Sequence, residues 1–78
     1  MTGTAAYRAK LSRMANQIAA NVPDPARAAD VTANHLRMFW APAMVDDLAA
    51  AMGDDPDALV PAVHAALAAL RPDAAIPR

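Results

Sequence analysis

Large apolar residues recur along the first third of the chain at Tyr7, Leu11, Met14, Ile18 and Val22. Those spacings of four, three, four and four predict an amphipathic helix from Thr4 to about Asn21, with Arg8, Lys10, Arg13 and Gln17 off the stripe. Val22-Pro23-Asp24-Pro25 ends it, because the residue before a proline is pushed out of the helical region. Asp24 followed by Pro25 is then the start signal of a second helix. That helix is expected over residues 25–40, with Ala28, Val31, His35, Met38 and Phe39 as its apolar positions and Leu36 toward one edge. Pro42 breaks the chain near Trp40-Ala41 and opens a third helix, 42–52. Val45, Leu48, Ala49 and Met52 share one face of it, and Gly53 reads as its C-terminal cap. Asp54-Asp55-Pro56-Asp57 reads as a turn that sets three carboxylates near the N-terminus of a fourth helix, 58–71, where the helix dipole favours them. Val60, Val63, Leu67 and Leu70 form its stripe, and residues 72–78 are expected to be a loose tail. No internal repeat and no strand-like alternation is present. The pattern predicts one small all-α domain, residues 1–78, folded as a compact bundle of about four short helices.

Composition tightens this picture. Of the 78 residues 56% are hydrophobic, but 23 are alanines, which favour helices and add little area to a core. A chain this short buries only about 60% of its unfolded surface. With no cysteine, disulfides and thiolate metal sites are excluded as staples. The expectation is an economical bundle or one that borrows stability from a partner. The net charge of −1 hides an asymmetry: residues 1–40 carry five basic and two acidic side chains, residues 41–78 two basic and six acidic. That balance is far from the basic surface of a nucleic-acid binder. No apolar run is long enough to span a membrane, and no apolar region follows Arg8, Lys10 and Arg13 as in a secretory signal, so the expected location is cytoplasmic.

Reactive chemistry is sparse. His35 and His64 have no acidic or histidine companion at helical metal-binding spacing. The lone Ser12 sits mid-helix among basic residues and reads as a surface or edge hydroxyl. Asp46 and Asp47 are adjacent and point about 100° apart on a helix, which makes no acid/base dyad. Asp54, Asp55 and Asp57 lack the glycine and distal glutamate of a calcium loop, and neither glycine, Gly3 or Gly53, belongs to a phosphate motif. More unusual are Asn16 and Gln17, two amides in mid-helix, which read either as a solvated face or as hydrogen-bonding groups at an interface. Met14, Met38, Met44 and Met52 fall on helical stripes, as flexible core filler or an adaptable binding surface. Phe39 and Trp40 are the only Phe and Trp of the chain, and they stand side by side.

Three blocks carry a family resemblance: Arg13-Met14-Ala15-Asn16-Gln17-Ile18-Ala19, then His35-Leu36-Arg37-Met38-Phe39-Trp40 with Pro42 and Met44, then Asp57-Ala58-Leu59-Val60-Pro61-Ala62-Val63. In order and spacing they resemble the delta subunit of NAD-dependent formate dehydrogenase, over about Leu11 to Leu70. Ala41 and Ala43 depart from the pattern, standing where the family usually carries an aspartate and an arginine. The resemblance implies a cofactor-free accessory subunit of a soluble, molybdenum-containing enzyme. In that assembly the alpha subunit oxidises formate at a bis-molybdopterin guanine dinucleotide centre, and iron–sulfur clusters and FMN pass electrons to NAD. This chain would bind none of these groups, would be no enzyme by itself, and would touch neither nucleic acid nor membrane. It would dock on and stabilise the molybdenum-bearing alpha subunit, with a role in insertion or retention of the molybdenum cofactor.

Asn16, Gln17, His35, Arg37, Phe39, Trp40 and Met44 are the expected partner-contacting residues. One ring of the Phe39-Trp40 pair should anchor the domain internally while the other faces the partner. Trp and Arg are favoured interface anchors, so Trp40→Ala is expected to weaken assembly and spare helicity. The alternatives are a small nucleic-acid-binding module, with the second and third helices as a helix-turn-helix, and a self-associating helical adaptor.

Overall fold

Proline sets the element boundaries. The computed structural model describes residues 2–70, with side chains from Ala5 onward. Within them the chain forms α1 (Thr2–Ala20), a 3-10 turn (Pro25–Arg27), α2 (Ala28–Phe39), α3 (Pro42–Asp54), a second 3-10 turn (Pro56–Ala58) and α4 (Pro61–Leu70). No strand occurs among the described residues. The expected end of the fourth helix at Arg71 and the expected tail, 72–78, lie outside the described residues.

Each start follows from its local chemistry. The Asp24 carboxylate accepts the Ala26 N–H at 3.0 Å with Pro25 in the first position, so the second helix begins as predicted, though its first turn is 3-10. At the next corner Trp40 and Ala41 are both extended, Ala41 because Pro42 disfavours the helical region for the residue before it. The Ala41 carbonyl then accepts the N–H groups of Met44 and Val45 and opens α3.

Three boundary expectations are corrected. Gly53 does not cap α3. The helix runs on through Asp54, and Asp55 closes it by donating its N–H to the Ala51 carbonyl at 2.9 Å. Pro56 forbids a further turn. The three carboxylates therefore do not gather at the start of α4: Asp54 belongs to α3 and pairs with Arg8 of α1. The fourth helix begins at Pro61, because residues 56–58 form a separate turn and Leu59 is extended.

The core is one cluster reached by all four helices. Leu11, Ala15 and Ala19 of α1, Leu36 and Trp40 from α2 and its cap, Leu48 of α3, and Leu59, Val63 and Leu67 close over it. Helix α2 packs chiefly on α4, and α1 chiefly on α3. Small buried residues at Ala28, Thr32 and Ala33 on α2 and Ala66 on α4 let those two axes approach closely.

Candidate functional site

The rotation of α2 about its own axis creates the site. The sequence places Ala28, Val31, His35, Met38 and Phe39 on its apolar stripe with Leu36 toward one edge; of the stripe the structure buries Ala28, and with it Thr32, Ala33 and Leu36. One residue step turns a helix by about 100°. Val31 and Met38 are consequently exposed, Met38 at 65% and Phe39 at 69% of their surface. His35 is half-buried and its ring sits 4.9 Å from that of Phe39, tilted by 45°. The most apolar stripe of α2 faces away from the core.

Helix α1 does the same to a lesser degree. It buries Leu11, Ser12, Ala15 and Ala19, and leaves Tyr7 and Met14 exposed with Ile18 half-buried. The two displaced stripes converge on a groove between α1 and α2. Ile18, Asn21 and Val22 from the α1 side and Val31 and His35 from α2 line it, and Pro23, Asp24 and Arg27 close one end. The groove is open to solvent, with a volume of about 450 Å³. Exposed large side chains rimmed by polar groups, on a domain with so little core, make this groove the candidate site.

The seven residues singled out from the sequence separate into four places. Gln17, His35 and Phe39 belong to the groove side, where the Gln17 amide Nε2 donates to Asn21 Oδ1 at 3.1 Å. Trp40 and Met44 do not line it. Trp40 is 8% exposed and lies in the core cluster, against which Met44 packs half-buried. The assignment of the two rings is thus the reverse of the expectation. Phe39, the last residue of α2, lies exposed against the His35 ring one turn back, whereas Trp40, extended at the cap, is buried in the core cluster.

Asn16 and Arg37 stand elsewhere. The Asn16 side-chain amide grips the backbone on both sides of Leu59: Nδ2 donates to the Ala58 carbonyl at 2.8 Å, and Oδ1 accepts the Val60 N–H at 3.0 Å. Its hydrogen bonds serve this chain's own fold, by holding the link into α4 and the buried Leu59. Arg37 lies with Trp40, Pro42, Val45 and Leu70 on the other edge of α2, away from Phe39. Sequence reasoning missed Val31 as a surface residue, and of the two readings left open for Met14 and Met38, core filler or surface, the structure gives the surface. Two apolar stripes, each on a helix with an alternative face of small residues, were the available signal.

Elsewhere the arrangements are structural. Ser12 Oγ donates to the Arg8 carbonyl at 3.0 Å, within its own helix. The His64 ring nitrogen Nε2 lies 2.7 Å from the Pro56 carbonyl oxygen and secures the second 3-10 turn. Among the described residues no group of three His, Asp or Glu side chains gathers where a metal ion could be held. No helix among them is long and apolar enough to cross a membrane.

One family model matches the chain, over residues 10–67: FdsD, the NADH-dependent formate dehydrogenase delta subunit. The matched segment contains every residue of the groove. No curated protein and no solved structure matches.

Proposed function

Because the chain belongs to the FdsD family of NADH-dependent formate dehydrogenase delta subunits, we propose that it is a non-catalytic accessory subunit that docks on and stabilises the molybdenum-bearing alpha subunit. Its work in a soluble, cytoplasmic enzyme would be structural, with the molybdenum centre, iron–sulfur clusters, FMN and NAD carried by the other subunits. One observation supports this reading above the rest. The α2 stripe holding Met38 and Phe39 faces solvent while the smaller Ala28, Thr32 and Ala33 of the same helix are buried with Leu36. An isolated 78-residue domain gains nothing from that arrangement; a subunit whose stripe is covered on assembly does.

The physical role follows from burial. Covering the groove would remove apolar surface from water on both partners and hold the covered segment of the larger subunit in one conformation. A domain that fixes such a segment also favours the state in which a large cofactor is inserted or retained. The test is the complex isolated from cells that lack this chain. A lower molybdenum content per complex and proportionally lower formate-dependent NAD reduction are expected, both restored by the full chain. Complexes that keep full molybdenum and activity without it would overturn the stabilising and cofactor roles.

A further inference from the structure

We propose that the groove between α1 and α2 is filled by an amphipathic helix of another subunit, acidic along the edges of its apolar face. The inference rests on the delta-subunit reading above and specifies what covers the site. Three observations carry it, namely the shape of the groove, the charge of its rim, and the poor fit of a second copy.

Shape comes first. Both walls are helices, so the exposed rows run at helical spacing: Lys10, Met14, Gln17 and Asn21 on α1, and Val31, His35 and Met38 on α2. A trough between two helices accepts a third by the packing of ridges into grooves. The exposed row from Lys10 to Asn21 is about 17 Å long at about 1.5 Å per residue, the length of three turns of a partner helix, and its Asn21 end lines the groove. No sheet edge is present among the described residues for an extended segment to join.

Charge comes second. Helix α1 holds Arg8, Lys10 and Arg13 and no acidic residue. Arg8 is paired with Asp54 on the α3 side. Lys10 stands in the groove-side row and Arg27 lines the closed end, and neither enters an ion pair among the described residues. Asp24, the carboxylate lining the groove, accepts the Ala26 N–H as a helix cap. The acidic residues Asp54, Asp55 and Asp57 ride on the end of α3 and the turn after it, which packs against the other edge of α1. A segment with carboxylates flanking its apolar face meets complementary charge here.

A second copy of this chain fits worse. A two-fold dimer through the groove would bring Lys10 and Arg27 of both copies into one interface with only the two Asp24 carboxylates of the lining to offset them. The C-terminal segment 71–78 offers one large apolar residue, Ile76, to a groove flanked by Met14, Ile18, Val31, Met38 and Phe39.

The experiment uses the full chain, tagged, in cells that make the whole complex. Phe39→p-benzoylphenylalanine and Met14→p-benzoylphenylalanine variants are irradiated, and the crosslinked peptides are read by mass spectrometry. The expected result is that both positions mark one segment of a single other formate dehydrogenase subunit. Crosslinked residues there should fall three or four apart, flanked by Asp or Glu. In parallel, the Lys10→Glu, Arg27→Glu double variant should bind the chain-depleted complex at least about tenfold more weakly, whereas Asp57→Lys should stay within about twofold. Crosslinks to a second copy, to segments of two subunits, to a segment flanked by basic residues, or none in an intact complex would overturn the inference and leave the delta-subunit role standing. Failure of the wild-type chain to co-purify with any formate dehydrogenase subunit would remove the reading beneath it as well.

Discussion

The two adjacent rings should behave in opposite ways when truncated. Trp40 keeps 8% of its surface exposed, within the cluster that joins all four helices, and Phe39 keeps 69%. Trp40→Ala removes a buried indole and leaves a cavity, a change that costs about 3–5 kcal/mol in comparable cores. A 78-residue domain at about 0.05–0.15 kcal/mol per residue has a total stability of only about 4–12 kcal/mol. The loss is therefore a large fraction of the whole. For Phe39, the covered 31% of a ring of about 200 Å² is about 60 Å², or at most about 1.5 kcal/mol at about 25 cal/mol per Å². Alanine's better helix propensity returns about 0.5 kcal/mol of that. Urea titration of the isolated chain followed by far-UV circular dichroism reads both variants. With a slope of about 1 kcal/mol per M, Trp40→Ala should lower the midpoint by about 3 M, or abolish the transition, and Phe39→Ala by less than about 1 M. The wild-type chain supplies an internal check, since its sole Trp should emit as a buried indole and resist aqueous quenchers until it unfolds. A Phe39→Ala loss equal to or larger than that of Trp40→Ala would refute this division of roles. So would a native indole that is freely quenched.

Three further outcomes test the local chemistry. Gly53 lies inside α3 at a φ that is not positive, and an added Cβ meets nothing within 4 Å. Gly53→Ala should thus stabilise the chain by about 0.5–1 kcal/mol, whereas a destabilised variant would restore the glycine-cap reading. The Thr32 hydroxyl is fully buried with no hydrogen-bond partner, so Thr32→Val should raise the urea midpoint by an amount worth about 1 kcal/mol. A lowered midpoint would mean the hydroxyl is in fact bonded. Asn16→Ala removes both bonds to the Ala58–Val60 backbone and should cost about 1–2 kcal/mol. Amide hydrogen exchange at Val60 should accelerate with it; unchanged exchange and stability would show that Asn16 does not secure the link into α4.

What could be read from the sequence and what could not divide along a physical line. The proline-marked corners, the Asp24 cap and the four-helix count are products of short-range sterics and hydrogen bonding. A proline restricts its neighbour whatever surrounds it, so Trp40-Ala41 is a corner in any context. Gly53 shows the limit of such signals. Its cap is a preference: α3 runs past it to Asp54, whose carboxylate pairs with Arg8 forty-six residues away. The partner of Asn16 is equally distant, forty-two and forty-four residues along the chain, and no local pattern names it.

The rotational setting of α1 and α2 was the decisive unknown. The sequence by itself determines that each helix has an apolar stripe, and it places Phe39, His35 and Gln17 in the region that later forms the groove. Periodicity identifies a stripe and says nothing of what it faces. Here tertiary packing chose the neighbouring face, because Ala28, Thr32, Ala33 and Leu36 allow α2 to approach α4 more closely than Val31, Met38 and Phe39 would. The large side chains were thereby left at the surface. That choice depends on the volumes of two helices at once, a property of the packed pair that no single stretch of sequence contains.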